Sequence, residues 1–131
     1  MILLDTHAAI WLVLDGLGKQ SQRMADKALA DDRLALSAIS FWELGMLIAK
    51  RRLRAVKSAS ELRAKLLAVG IRELPLTGEI AILAAELEEL NGDPADRIIA
   101  ATAIVHDATL MTADNRLLQW RHRLKRQNAE Q

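Results

Sequence analysis

Residues 91–114 read NGDPADRIIAATAIVHDATLMTAD, four aspartates around an almost uncharged middle. Pro94 suits the first turn of a helix, where its missing N–H costs nothing, and Asp93 before it suits the cap. Asn91 and Gly92 suit the end of the helix before. Beyond Arg97 the segment ADRIIAATAIVH, residues 95–106, is apolar almost all round, so it predicts a central, packed helix. ATLMT, residues 108–112, then predicts a buried strand that runs into Thr112 and Asp114.

The same alternation runs through the rest of the chain. MILL, too short for a helix and stopped by Asp5, predicts a strand buried on both faces, and AAIWLVL (8–14) a helix ending before Gly16 and Gly18. QSQRMADKALADD (20–32) has an amphipathic spacing, and RLALS (33–37) reads as a strand ending at Ser37. SFWELGMLIAK (40–50) is helical by spacing. SASELRAKLLAVG (58–70) is a helix with a Ser60 cap and a Gly70 stop, and IRELPL (71–76) a short strand. TGEIAILAAELEEL (77–90) alternates apolar and acidic faces as a helix. The charged end, residues 116–131, is the least readable part. Strands separated by helices predict a three-layer α/β/α domain with a mainly parallel sheet of four or five strands. The 131 residues fit one domain over 1–131. In such a sheet ligands collect at the strands' carboxyl ends, where Asp5, Ser37, Thr112 and Asp114 fall.

Composition limits the chemistry. Without Cys, disulfides and thiolate metal sites are excluded, and a metal must take oxygen or imidazole ligands. With 18 Lys and Arg against 17 Asp and Glu, a net charge of +1 gives the whole molecule little field to attract nucleic acid. Met1 runs straight into ILLD with no basic lead-in or long apolar stretch, so neither a signal peptide nor a membrane span is expected, and a cytoplasmic location follows.

Each acid has an ordinary reading as well as a functional one. Asp5 could cap the helix that follows it, and Asp114 could close the turn in TADN. Glu43 has capping-box spacing from Ser40. Yet three of its four helical neighbours, Ile39, Met46 and Leu47, are apolar, and a carboxylate on that stripe needs a partner. Asp93 reads as a plain cap, and Asp96 sits where the helix macrodipole favours an acid. Together, carboxylates from separate segments meeting at one sheet edge would repel unless protonated or paired with a cation. Hard oxygen ligands suit Mg²⁺ or Mn²⁺, and phosphodiester hydrolysis by a metal-activated water is the chemistry implied.

At these residues the chain resembles the PIN-domain nucleases, specifically the VapC-type toxins of toxin–antitoxin pairs. The resemblance rests on LLDTHAAIW (3–11), LSAISFWEL (36–44), DPADRIIAATA (93–103) and LMTAD (110–114). It implies a Mg²⁺- or Mn²⁺-dependent endoribonuclease, usually dimeric, silenced by a cognate antitoxin bound beside the active site. Carried over by motif, the acid quartet that binds metal and catalyses is Asp5, Glu43, Asp96 and Asp114, with Thr6, Ser40 and Thr112 as supporting polar residues and Asp93 as the structural cap. This chain departs in having NG before the DP pair, where related sequences often carry His, and Ala95 where they often carry an aromatic; substrate contacts and helix packing are what these affect.

For RNA contacts the basic run KRRLRAVK (50–57), with Lys50, Arg51 and Arg52, ranks first and RHRLKR (121–126) second, against the ordinary reading of basic residues at solvated helix ends. Arg97 fits a phosphate contact or a salt bridge to the acids. His7 is read as structural, and three Trp with Phe41 are too scattered to form a stacking platform, so they read as packing residues. A haloacid-dehalogenase phosphatase would need an acid where His7 stands, and a receiver domain would need paired acids after the first strand. The non-enzymatic alternative is a catalytically silent PIN-fold module that only binds a protein partner.

Overall fold

In the computed structural model, every residue except Glu88, Asn91 and Gly92 is described. The readings of Asn91 and Gly92 therefore lie outside the described residues. Five strands form one sheet: β1 (Ile2–Leu4), β2 (Leu34–Ser37), β3 (Arg72–Leu74), β4 (Thr109–Thr112) and β5 (Arg126–Asn128). Their order across the sheet is β3-β2-β1-β4-β5, and all four pairings are parallel. The fifth strand comes from the charged end that patterning left unread.

Among the described residues seven helices connect them: α1 (Thr6–Val13), α2 (Lys19–Ala30), α3 (Ala38–Ala49), α4 (Ala59–Ala68), α5 (Gly78–Glu86), α6 (Pro94–Val105) and α7 (Asn115–Gln119). Because strand side chains alternate between faces, Leu3 packs with Ile80 and Ala84 of α5 and Ile99 and Ala100 of α6. Leu4 packs on the other face with Ala8, Ala25, Leu44 and Leu62 from α1 to α4. Both leucines are fully buried, as a parallel sheet covered on both sides requires. Helix α3 reaches both layers, Leu44 on one side and Ile39 on the other. It thus crosses the carboxyl edge of the sheet and carries Glu43 there.

Several helix starts move by one to three residues once side chains find partners. Asp5 accepts from the Ala8 amide at 2.7 Å, so α1 begins at Thr6 rather than residue 8. Ser37 caps α3 through the Ile39 amide at 3.2 Å, which places Ser40 inside the helix and removes the capping box with Glu43. Ser58, not Ser60, caps α4. Helix α5 stops at Glu86, short of the expected residue 90, with Leu87 as its C-cap. Gly70 ends α4 in the left-handed region at φ +107°, a conformation glycine adopts freely.

Two members of the second basic run have partners within the fold. Arg126 donates to the carbonyls of Leu117 and Trp120 at 2.6 Å, His122 at 2.8 Å and Leu124 at 3.1 Å, fastening the end of α7 and the turn after it. Lys125 pairs with Asp107 at 2.9 Å. Removing the guanidinium strands several carbonyls that have lost their helical partners. Arg126→Ala should therefore cost about 3 kcal/mol, on the order of 10 °C in the melting midpoint. Calorimetry showing a midpoint within a degree or two of the parent would contradict this account.

Candidate active site

The crossover from β3 to β4 passes from one side of β1 to the other, so the strand order reverses between β1 and β4. Adjacent loops leave the sheet in opposite directions there and open a crevice beyond the strands' carboxyl ends. A cleft of about 470 Å³ occupies this place, lined by Asp5, Thr6, His7, Trp11, Glu43, Asp93, Asp96, Ala113, Asp114, Arg116 and Glu130. Asp5 follows β1, Asp114 follows β4, Glu43 comes from α3, and Asp96 from the first turn of α6. All four predicted acids line one cleft.

Capping and site formation are not rivals here, since the cap holds the carboxylate in place. Asp5 is 8 % exposed and held by the Ala8 amide. Asp114 accepts from the Arg116 amide at 2.9 Å and its own amide donates to the buried Thr112 hydroxyl at 3.0 Å. Thr6, fully enclosed, donates to Glu43 Oε1 and is bonded to Ser40 Oγ at 3.0 Å. A hydroxyl has one proton, so with Thr6 donating to the carboxylate, Ser40 donates to Thr6. Glu43 is thereby aimed by two buried side chains, and Asp114 by Thr112.

Asp93 does more than the cap assigned to it. It accepts from the Ala95 amide at 3.0 Å, as a cap should, and also offers an oxygen that lies with one of Glu43 and one of Asp96 within 4.8 Å of each other. Spacing from Pro94 predicted the cap; that α3 lies across from it could not be read from the sequence.

The electrostatics follow from crowding acids in a cleft. Burial, then the charges of Asp93 and Asp114, push the Asp96 carboxyl up to about 6. Burial also raises Asp5 and Glu43, against hydrogen bonds from Thr112 and Ala8 at Asp5 and from Thr6 at Glu43. At Asp114 burial acts upward too, but the hydrogen bonds and charge of Arg116 outweigh it and hold the carboxyl below its ordinary value. The donor set is all oxygen, negatively charged and partly desolvated, which fits a hard divalent cation such as Mg²⁺ or Mn²⁺.

Two basic residues change places. Arg97 neither meets the acids nor faces the cleft: it donates to the carbonyls of Ala84 at 3.0 Å and Ala85 at 2.8 Å, near the end of α5. Arg116 was not singled out by pattern, yet its Nη2 lies 2.8 Å from Asp96 Oδ2 and 3.0 Å from Asp114 Oδ2. Its position two residues after an acid and one into a helix was the only signal available. Lys50, Arg51 and Arg52 are exposed at the end of α3, about 10 Å along the axis from Glu43 at 1.5 Å per residue. Trp42, expected to pack, is 57 % exposed, whereas Trp120 is buried and Trp11 lines the cleft.

A parallel α/β domain with an acid cleft at the reversal of strand order is thus the class that fold and site define. The PIN domain family model matches residues 2–122. Over 127 residues, 92 % of each chain, the sequence is 39 % identical to Ribonuclease VapC22 of Mycobacterium tuberculosis. Among solved structures, VapBC-1 from nontypeable Haemophilus influenzae is similar at a TM-score of 0.72, 23 % identity and full coverage of both chains (100 %). FitAcB from Neisseria gonorrhoeae is similar at a TM-score of 0.66 and 27 % identity over 98 % of each. The chain belongs to the PIN-domain family, in its VapC-type branch.

Proposed function

We propose that this chain, folded as one domain over residues 1–131, is a Mg²⁺- or Mn²⁺-dependent endoribonuclease that serves as the toxin of a toxin–antitoxin pair. The observation that carries this reading is the meeting of Asp5, Glu43, Asp96 and Asp114, from four separate segments, in one cleft. The 39 % identity to a ribonuclease from Mycobacterium tuberculosis supports RNA as the substrate class. In this reading the four acids hold the metal, with Asp93 adjoining Glu43 and Asp96. A bound divalent ion supplies the Lewis acidity that polarises the scissile phosphate and makes water nucleophilic near neutral pH.

The chain's own residues then orient and partition charge. Thr6 and Ser40 fix Glu43, Thr112 fixes the Asp114 turn, and Asp5 is locked by its cap. Lys50, Arg51 and Arg52, beyond the far end of α3 from the cleft, are the candidates for gripping RNA phosphates, while Arg97 is not one because its donors serve carbonyls. The protein acts in the cytoplasm, pairs with a second copy, and is silenced by a cognate antitoxin. None of the helices among the described residues is long and apolar enough to cross a membrane.

The direct test is cleavage of total cellular RNA by purified protein with Mg²⁺, with Mn²⁺ and with chelator. Cutting that is lost with chelator and restored by either ion is the expected result. Cutting that persists in chelator would remove the metal from the mechanism. A smaller effect tests the support around Glu43: Thr6→Val keeps the buried shape but deletes the hydroxyl, so cleavage should fall about tenfold, and stability by about 1–2 kcal/mol because Ser40 and Glu43 lose a buried partner. An equally active, equally stable variant would show that Glu43 needs no such hold.

A further inference from the structure

We propose that Arg116 is the built-in counter-cation of the acid cleft, holding Asp96 and Asp114 together until a divalent ion competes it away. The inference rests on the metal-binding reading above. One nitrogen, Nη2, bridges an acid from the first turn of α6 and the acid that caps α7, at 2.8 Å and 3.0 Å. A guanidinium keeps its proton at any ordinary pH, so it remains a permanent positive charge among the carboxylates.

The Oδ2 oxygens that Arg116 occupies belong to two of the acids that would hold the metal. Both cations draw on the same two carboxylates, and two positive charges brought this close repel, so metal entry and the arginine bridge oppose each other. Arg116 is also the most exposed member of the bridge. Its side chain is 55 % exposed, against 27 % and 28 % for the acids it binds. It stands, with Asp96 and Asp114, in the wall shared by the acid cleft and a second hollow of about 270 Å³ lined also by Glu89, Leu90, Leu117 and Trp120. That hollow offers room for the displaced side chain. The bridge keeps the cluster folded without metal and sets a threshold for loading it.

The test is a titration of the full chain with Mn²⁺, reading free ion by electron paramagnetic resonance at fixed pH and ionic strength. Removing a positive charge this close to the ligands should tighten Mn²⁺ binding roughly tenfold in Arg116→Gln. Arg116→Met, neutral and of similar reach, should do the same and serves if the first variant does not fold. Asp96→Asn should weaken binding in the same assay. If the parent and both neutral variants bind Mn²⁺ equally, or the variants bind more weakly, the counter-cation role is overturned while the metal site stands. If neither parent nor variants bind the ion, the metal reading fails and this inference with it.

Discussion

Asp96→Asn is expected to reduce RNA cleavage by roughly a thousandfold or more while the protein stays folded. Asp96 is the node of the cleft: it is clustered with Glu43 and Asp93, and Arg116 ties it to Asp114. Asparagine preserves its size but removes the charge that a divalent cation needs. In the third helical position the lost interaction with the macrodipole costs at most about 1 kcal/mol. Relief of repulsion offsets this, since the carboxyl is already pushed up to about 6 by burial and by Asp93 and Asp114. The melting midpoint should therefore stay level or rise. Single-turnover cleavage beside a thermal melt reads both quantities. A folded variant that cuts as fast as the parent would take Asp96 out of the machinery.

Without metal, the protein should lose stability as pH rises from about 4 to 6, the reverse of the usual effect of paired carboxylates. Asp96 has a folded value of about 6 against an ordinary 3.8, and Asp5 and Glu43 shift in the same direction. In that window the folded chain still holds protons that the unfolded chain has released, so the linkage slope is negative. Their contribution is full below the ordinary carboxylate range and is lost on passing the raised values. For Asp96 the gap alone corresponds to about 3 kcal/mol, reduced to about 1–2 kcal/mol by the solvent that reaches the carboxyl. Asp114, Glu73 and Asp107 shift downward and work the other way at lower pH.

A divalent ion favours the ionised cluster, so Mg²⁺ or Mn²⁺ should raise the melting midpoint far more at pH 7.5 than at pH 5. Ion at a hundred times its dissociation constant is worth about 2.7 kcal/mol. Melts in chelator and in Mn²⁺ across this range, repeated on Asp96→Asn, would show the slope flatten in the variant. Equal stabilisation by Mn²⁺ at both pH values would contradict the linkage between these carboxyls and the metal.

The short-range part of this architecture was legible because it is written in neighbouring residues. Asp93 and Pro94 announce the start of α6, Gly70 the end of α4, and the runs MILL, LALS and TLMT the three central strands. That acids gather at this edge was partly legible, since Asp5 follows β1, Asp114 lies two residues beyond β4 and Glu43 sits on an apolar stripe, while the choice of four came from the resemblance to the PIN-domain nucleases. Strand β5 was not, because RQN has no apolar alternation and is held by its pairing to β4 and by the carbonyls that Arg126 gathers. The cap of α3 shifted from Ser40 to Ser37 because the hydroxyl that reaches an orphan amide depends on where the strand ends.

Residue types and spacing alone determined an α/β chain with acids at the ends of buried strands and any metal restricted to oxygen or imidazole ligands. Tertiary structure decided which charges meet. In sequence Arg97, beside Asp96, was the candidate for the acids and Arg116, two residues after Asp114, was not. Packing of α5 against α6 turns Arg97 to carbonyls, while the reversal of strand order brings α6 and α7 together and Arg116 onto Asp96 and Asp114. Local sequence sets where a helix begins, but electrostatic contact falls off with distance in space, and only the crossing of distant elements sets that distance.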